Sequence, residues 1–250
     1  IEVGMNSAFR DISKIRSGLI RKIIISIYQF ISILITFILR KKKLKPNSKN
    51  LYQSPWLPIW PGLEGKPFHD KKPDWVKILE ENYLEIKKEL LTLIDNNKSF
   101  DLAVYDGFKG KPWTTKYFYI FGKEVQETHS VCPYTSEILK KIPHNSMHVC
   151  FSCVPGNGAL PPHVGPTNTS LVCHLGLHNC EKTVIFAGSK IRKYEEGNTL
   201  ILDDSFIHGV KNTGDKSRYT LMISFWHPEL SKFEKIILNL LYKPLSKITL

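Results

Sequence analysis

His163 and His208 are the residues whose type and placement first suggest chemistry. His163 follows Pro161-Pro162 at the edge of a strand-like run, and His208 follows the acidic turn Asp203-Asp204-Ser205, again at a strand edge. Side chains in such places can converge across the mouth of a β-barrel, and imidazole is the commonest transition-metal ligand. Arg218 opens the next strand-like run, and a guanidinium at the inner end of a barrel suits a bidentate grip on a carboxylate. Ser152 and His174 are two further polar residues on runs that otherwise read as buried strand. A polar group on a buried face costs free energy unless it is paired, so an internal polar ligand would account for both. Plainer readings stand beside these. With nine histidines in the chain, a pair is as readily structural, and each buried polar group can bond to a neighbour.

These residues need strands to hold them. From residue 147 the texture is short β-branched and aromatic runs separated by Gly, Pro and Asn, which predicts strands over 147–154, 170–177, 182–186, 199–202 and 219–226. Strands so closely spaced, without intervening helices, make an antiparallel sandwich or barrel. Before them, Asp74 can cap a helix in which Trp75, Leu79, Tyr83, Ile86, Leu90 and Ile94 recur at three- or four-residue intervals, with Asn96-Asn97 as its stop. A shorter helix is predicted over 134–141. Five cysteines leave one over under any full disulfide scheme. Cys150 and Cys153 fall on opposite faces of a strand, which disfavours pairing, so buried thiols are expected.

The 250 residues are 42% hydrophobic and 11% aromatic, which excludes a disordered chain, and they carry a formal charge of +12. That charge is local. Residues 1–49 hold eleven basic and two acidic side chains, a balance of +9, leaving +3 for the other 201 residues. No basic groove for nucleic acid is expected. Between Lys22 and Arg40 lie 17 uncharged residues, roughly 25 Å of helix, at the short end of a bilayer span. The organisation expected is therefore a basic tail over 1–22, a transmembrane or membrane-anchor helix over 23–39, a basic Pro-rich linker over 40–60 that wraps onto one β domain with helices on its N-terminal side, and a helical tail over 231–250. Ser26, Gln29, Ser32 and Thr36 give the apolar run a narrow polar stripe, so a helix lying on a surface is the alternative. The basic flanks are nearly balanced. They lean only slightly to a single-pass protein with its domain on the cytoplasmic face, as does the sequon Asn168-Thr169-Ser170 beside His163, where a glycan would obstruct.

Five segments occur in order: Pro162-His163-Val164-Gly165-Pro166-Thr167-Asn168, His174-Leu175-Gly176-Leu177, Glu195-Glu196-Gly197, Asp203-Asp204-Ser205-Phe206-Ile207-His208 and Trp226-His227-Pro228-Glu229-Leu230. Together they resemble the aspartyl/asparaginyl β-hydroxylase family of iron(II)- and 2-oxoglutarate-dependent dioxygenases, over residues 61–230. The resemblance implies a mainly β fold, a double-stranded β-helix of the jelly-roll or cupin type with N-terminal helices. It implies iron(II) as metal, with 2-oxoglutarate and dioxygen as cosubstrates. His163 and His208 match the two iron ligands. Arg218 matches the anchor for the far carboxylate of 2-oxoglutarate, Ser152 and His174 match its supporting polar residues, and Val210, on the strand of His208, would pack against it.

Most related dioxygenases carry a carboxylate two residues after the first histidine; Gly165 stands there, as it does in the β-hydroxylases. A glycine leaves a coordination position for water or substrate and makes the metal site more dependent on cosubstrate chelation. Val172 and Ser170 stand where the family often has basic residues, which bears on the cosubstrate or on acidic substrates. The activity implied is hydroxylation of Asp or Asn side chains of a peptide or protein by a membrane-anchored enzyme. Two alternatives stay open: hydroxylation of lipid acyl chains, as in the lipid A hydroxylases, and a non-catalytic jelly-roll binding protein.

Overall fold

The computed structural model describes residues 23, 25–31, 33–34, 52–55, 57–96, 100–102, 113–145 and 147–248. Helices α1 (Val76–Glu81) and α2 (Tyr83–Asp95) precede strands β1 (Asp101–Leu102), β2 (Thr114–Ile120) and β3 (Lys123–Glu124). Helices α3 (Gln126–Val131) and α4 (Pro133–Lys140) follow. Eight strands come next: β4 (His148–Val154), β5 (Ala159–His163), β6 (Ser170–His178), β7 (Thr183–Ala187), β8 (Lys190–Lys193), β9 (Thr199–Leu202), β10 (His208–Asn212) and β11 (Arg218–Trp226). Helix α5 (Lys232–Ile248) closes the described chain.

All strand pairs are antiparallel. One sheet runs β1-β2-β4-β11-β6-β9 with β3 beside β2, and the other runs β5-β10-β7-β8. Strands β4 to β11 therefore divide between two sheets in the interleaved order of a jelly roll, and the expected mainly β, antiparallel fold is what forms.

Period-two alternation decides what each strand does. On β4, Val149 and Phe151 join the core beneath the helices while Cys150 and Ser152 turn inward. On β6, Leu171, Cys173, Leu175 and Leu177 pack outward against the helices while Val172 and His174 line the interior. On β11, Leu221, Ile223 and Phe225 face the helices while Arg218 and Met222 face in. None of the five cysteines forms a disulfide, and Cys150 and Cys153 lie on opposite faces as their spacing predicts.

The single helix predicted from Asp74 is two. At Asn82 the side-chain amide donates to the Ile78 carbonyl at 2.7 Å, taking the acceptor that an unbroken helix would give to the main chain. The side-chain amide oxygen of Asn82 in turn accepts from the Tyr134 hydroxyl at 2.5 Å. Glu89 on α2 satisfies the start of α4, accepting from the Tyr134 and Thr135 main-chain N–H groups and the Thr135 hydroxyl.

The membrane-spanning helix expected over 23–39 is corrected. Among the described residues no helix is long and apolar enough to cross a membrane. The helical residues between 23 and 34 rest on the domain through Tyr28, which is 2% exposed, lies edge-on to Trp60 and comes within 3.3 Å of the Thr167 hydroxyl. That contact gives the tyrosine of the apolar run a buried place against the domain. The single-pass localisation falls with the span. The expected basic tail over 1–22 lies outside the described residues. Leu238 of α5 joins Tyr28, Trp60, Leu63 and Leu230 in one apolar cluster, so the C-terminal helix packs on the domain.

The chain before the domain also wraps onto it. Gln53 bridges to Phe206, Ser54 N–H donates to the Ser205 carbonyl, and Leu57 N–H to the Pro166 carbonyl. Trp60 and Asn168 exchange two hydrogen bonds, 2.8 and 2.9 Å, between the tryptophan main chain and the asparagine amide. These contacts brace the loops that adjoin the two histidines, after the end of β5 and before the start of β10.

Candidate active site

β5 and β10 are neighbours, and their register sets His163 opposite His208. The ring centroids are 4.0 Å apart at 54°. Each Nδ1 lies 2.8 Å from a carbonyl two residues back, that of Pro161 for His163 and of Phe206 for His208. A carbonyl only accepts, so both rings carry the proton on Nδ1 and the lone pair on Nε2. Burial lowers the His163 pKa to about 4 and pushes that of His208 well below its ordinary value. Both imidazoles are therefore neutral with a fixed tautomer, the form a metal takes, held by main-chain groups as metal-binding histidines commonly are. His208 and Val210, two residues apart on β10, share one face and line the same cavity as His163.

That cavity, about 80 Å³ in volume, is lined by all six residues singled out from the sequence: Ser152, His163, His174, His208, Val210 and Arg218. Arg218 is 1% exposed. Its Nη1 donates to the Thr220 hydroxyl at 2.7 Å, its guanidinium lies 4.6 Å over the Tyr194 ring, and its Nε has no partner. Ser152 accepts from the indole N–H of Trp113 at 2.9 Å. His174 meets the Tyr194 hydroxyl through Nδ1 at 3.2 Å, and its Nε2 has no partner. Burial, with the nearby Arg218 charge, lowers the His174 pKa to about 3. Of the two departures from the family pattern, Val172 forms part of the cavity wall. Ser170 is turned to Asn145, whose amide donates to its hydroxyl at 2.7 Å.

Four residues that sequence reasoning did not assign stand at or beside the site: Asp204, Trp113, Tyr117 and Tyr194. Asp204 is the most informative. Gly165 N–H donates to its carbonyl at 2.6 Å, and a Cβ built on Gly165 would overlap its carboxylate. The space that a side chain at 165 would fill is thus taken by a carboxylate from the neighbouring turn that leads into β10. Asp204 Oδ1 has no partner and burial pushes the carboxyl pKa up to about 7. Its signal was present in the acidic turn four residues before His208. Its neighbour Asp203 is spent on structure, accepting from the Ser205 hydroxyl and main-chain N–H.

Among the described residues no three His, Cys, Asp or Glu side chains form a metal cluster. The donor set is a histidine pair with an unsatisfied carboxylate oxygen nearby, and orphaned Arg218 and His174 nitrogens deeper in the cavity. Two lone pairs for a divalent metal and two polar nitrogens for a carboxylate ligand fit a metal bound together with an organic acid.

The aspartyl/asparaginyl β-hydroxylase family model matches residues 80–228. The chain is 29% identical over 214 residues to the human aspartate beta-hydroxylase domain-containing protein 2, covering 79% of this chain and 57% of that protein. It is 30% identical over 183 residues to the human aspartyl/asparaginyl beta-hydroxylase, covering 68% of this chain and 24% of that protein. It is also 33% identical over 119 residues to the ornithine lipid ester-linked acyl 2-hydroxylase of Rhizobium tropici, covering 46% of this chain and 42% of that protein. The chain thus spans little more than half the length of the first of these relatives and less of the other two. With the matched region taking in the histidine pair, the arginine and the strands that carry them, the chain belongs to the aspartyl/asparaginyl β-hydroxylase family.

Proposed function

We propose that the chain is an iron(II)- and 2-oxoglutarate-dependent dioxygenase that hydroxylates Asp or Asn side chains of a peptide or protein. The observation that carries this reading is the His163–His208 pair, a half-buried and a buried neutral imidazole in register on adjacent strands with both lone pairs on Nε2. Those two nitrogens would hold the iron. Arg218, supported by Ser152 and His174, would take the carboxylate of 2-oxoglutarate, and Val210 would pack against its carbon chain. When bound, iron and 2-oxoglutarate supply the activation of dioxygen, with decarboxylation to succinate and placement of a hydroxyl on a substrate C–H.

The protein's own contribution is orientation and exclusion of water. Main-chain carbonyls fix the histidine tautomers, and Thr220 and Tyr194 fix the guanidinium. Valine, leucine and methionine side chains keep the surrounding wall apolar. Gly165 would offer a bound metal no side-chain ligand, and Asp204, half-buried with its Oδ1 shielded, would stand beside it as an acid or hydrogen-bond partner for whatever took that place. No paired carboxylates are needed as general acid and base, because the reaction removes hydrogen from carbon by oxidation.

A second reading has a specific observation behind it. Val172 replaces a basic residue with an apolar wall at the cavity, and one relative is named as a lipid acyl hydroxylase. Succinate release from 2-oxoglutarate, measured with an Asp- and Asn-containing peptide and with an acylated lipid, separates the two. Peptide-dependent succinate, with peptide mass raised by one oxygen, is the expected result. Stimulation by the lipid alone would move the substrate assignment to acyl chains, and no succinate with either would remove it from both.

A further inference from the structure

Tyr194 lies outside the motifs that identify the family and does not line the cavity, yet it touches two residues that do. It is 2% exposed. Its main-chain N–H donates to the Thr183 carbonyl at 3.2 Å, which fixes its backbone against β7. Its hydroxyl lies 3.2 Å from His174 Nδ1, and its ring face lies 4.6 Å beneath the Arg218 guanidinium carbon. The groups it touches are the two whose remaining nitrogens, His174 Nε2 and Arg218 Nε, are buried without a protein partner.

The hydroxyl contact can run in either direction, and the two directions present opposite groups to the ligand. If the imidazole donated, the phenol proton would be buried with no acceptor, and His174 would offer a lone pair on Nε2. If the phenol donates, its proton is satisfied and His174 carries its own proton on Nε2. A carboxylate is an acceptor, so only the second arrangement gives it an N–H.

We infer that Tyr194 is a positioning residue that prepares two donors at once: its hydroxyl donates to His174 Nδ1 and fixes the Nε2–H tautomer, while its ring face sets the Arg218 guanidinium, so that both present N–H groups to a carboxylate ligand. This rests on the reading that the cavity takes 2-oxoglutarate. The ring supplies a cation–π contact in a desolvated site and the hydroxyl supplies a tautomer lock, and the two parts can be removed separately.

The test uses the full chain in metal-free and zinc-substituted form, labelled with ¹⁵N-histidine, with His174→Gln identifying the His174 signals. Long-range ¹H–¹⁵N spectra are expected to show His174 protonated on Nε2 in the wild type and a mixture of tautomers in Tyr194→Phe. Calorimetric titration with 2-oxoglutarate is expected to show affinity about two- to tenfold weaker in Tyr194→Phe. Tyr194→Leu, which also loses the ring, is expected to weaken it by a further factor of about three to thirty. Thermal unfolding of both variants shows whether a loss of affinity comes with a loss of fold, and the conservative Phe variant carries the test if Leu does not fold. A wild-type His174 protonated on Nδ1, or a tautomer unchanged in Tyr194→Phe, overturns the inference. Wild-type binding of 2-oxoglutarate with equal affinity in both variants also overturns it while leaving the cosubstrate reading intact. A tautomer that shifts as expected in a protein that binds no 2-oxoglutarate leaves the hydroxyl's role standing and defeats the cosubstrate reading.

Discussion

The site's properties come from a few side chains held in one protonation state by their surroundings. His163 and His208 each surrender Nδ1 to a carbonyl, which leaves the lone pair of each ring on Nε2. Replacing either with alanine is expected to abolish iron-dependent turnover and iron retention, read by metal analysis of protein purified without air; retained iron in both variants would refute the assignment. Asp204 gives a prediction with a definite sign. Its carboxyl has an ordinary pKa of 3.8 and burial raises it to about 7, so the folded chain keeps a proton that the unfolded chain releases. In metal-free protein its contribution to stability is fully present below pH 3.8 and is lost as pH rises through about 7, a span of roughly 4 kcal/mol. His163 works in the opposite sense, since its lowered pKa of about 4 costs stability as pH falls below 6.5. Asp204→Asn removes only the first effect. Its denaturation midpoint should exceed that of the wild type near neutral pH, with the difference shrinking toward pH 4; a constant difference would mean that Asp204 is not held protonated.

At the scale of elements, the helices are tied to the barrel by buried polar contacts as well as by apolar faces. Ser231 and Glu234 form a reciprocal cap at the start of α5: Ser231 N–H donates to the glutamate carboxylate, and Glu234 N–H to the serine hydroxyl. The same carboxylate accepts from the Trp60 indole at 3.0 Å, joining the C-terminal helix to the N-terminal wrap. Glu234→Ala should cost about 1–3 kcal/mol, because it removes the cap and strands a buried indole N–H; chemical denaturation measures it, and a change below a few tenths would contradict this tie. The elements differ in how legible they were. Strands β4, β6, β7, β9 and β11 are near-continuous apolar or β-branched runs and stand within a residue of where the pattern puts them. β5 was hidden by Pro161-Pro162, which an edge strand tolerates, and β10 by Gly209 and Lys211 in a strand of only five residues. The break at Asn82 is a side-chain competition that apolar periodicity does not register.

For the whole molecule, the charge that opened a nucleic-acid question belongs to the first 49 residues, and the apolar run among them does not form a described helix long enough to cross a membrane. It places Tyr28 against Trp60 and leaves Ile23, Ile27, Phe30, Ile33 and Leu34 exposed. Five of the residues proposed for the site stand out in the sequence as polar types at strand edges or on buried runs, while Val210 is marked only by its place two residues after His208. Their partners were not: Tyr194 and Trp113 act through contacts that only the folded chain brings together. The central claim is that one cavity holds iron through two histidines and 2-oxoglutarate through Arg218. Anaerobic titration of the protein with iron(II) and then 2-oxoglutarate tests it most directly. A visible charge-transfer band should develop with saturation by both, and Arg218→Ala should require about thirty- to a thousandfold more 2-oxoglutarate, the equivalent of roughly 2–4 kcal/mol. No band at any concentration of the two would contradict the account.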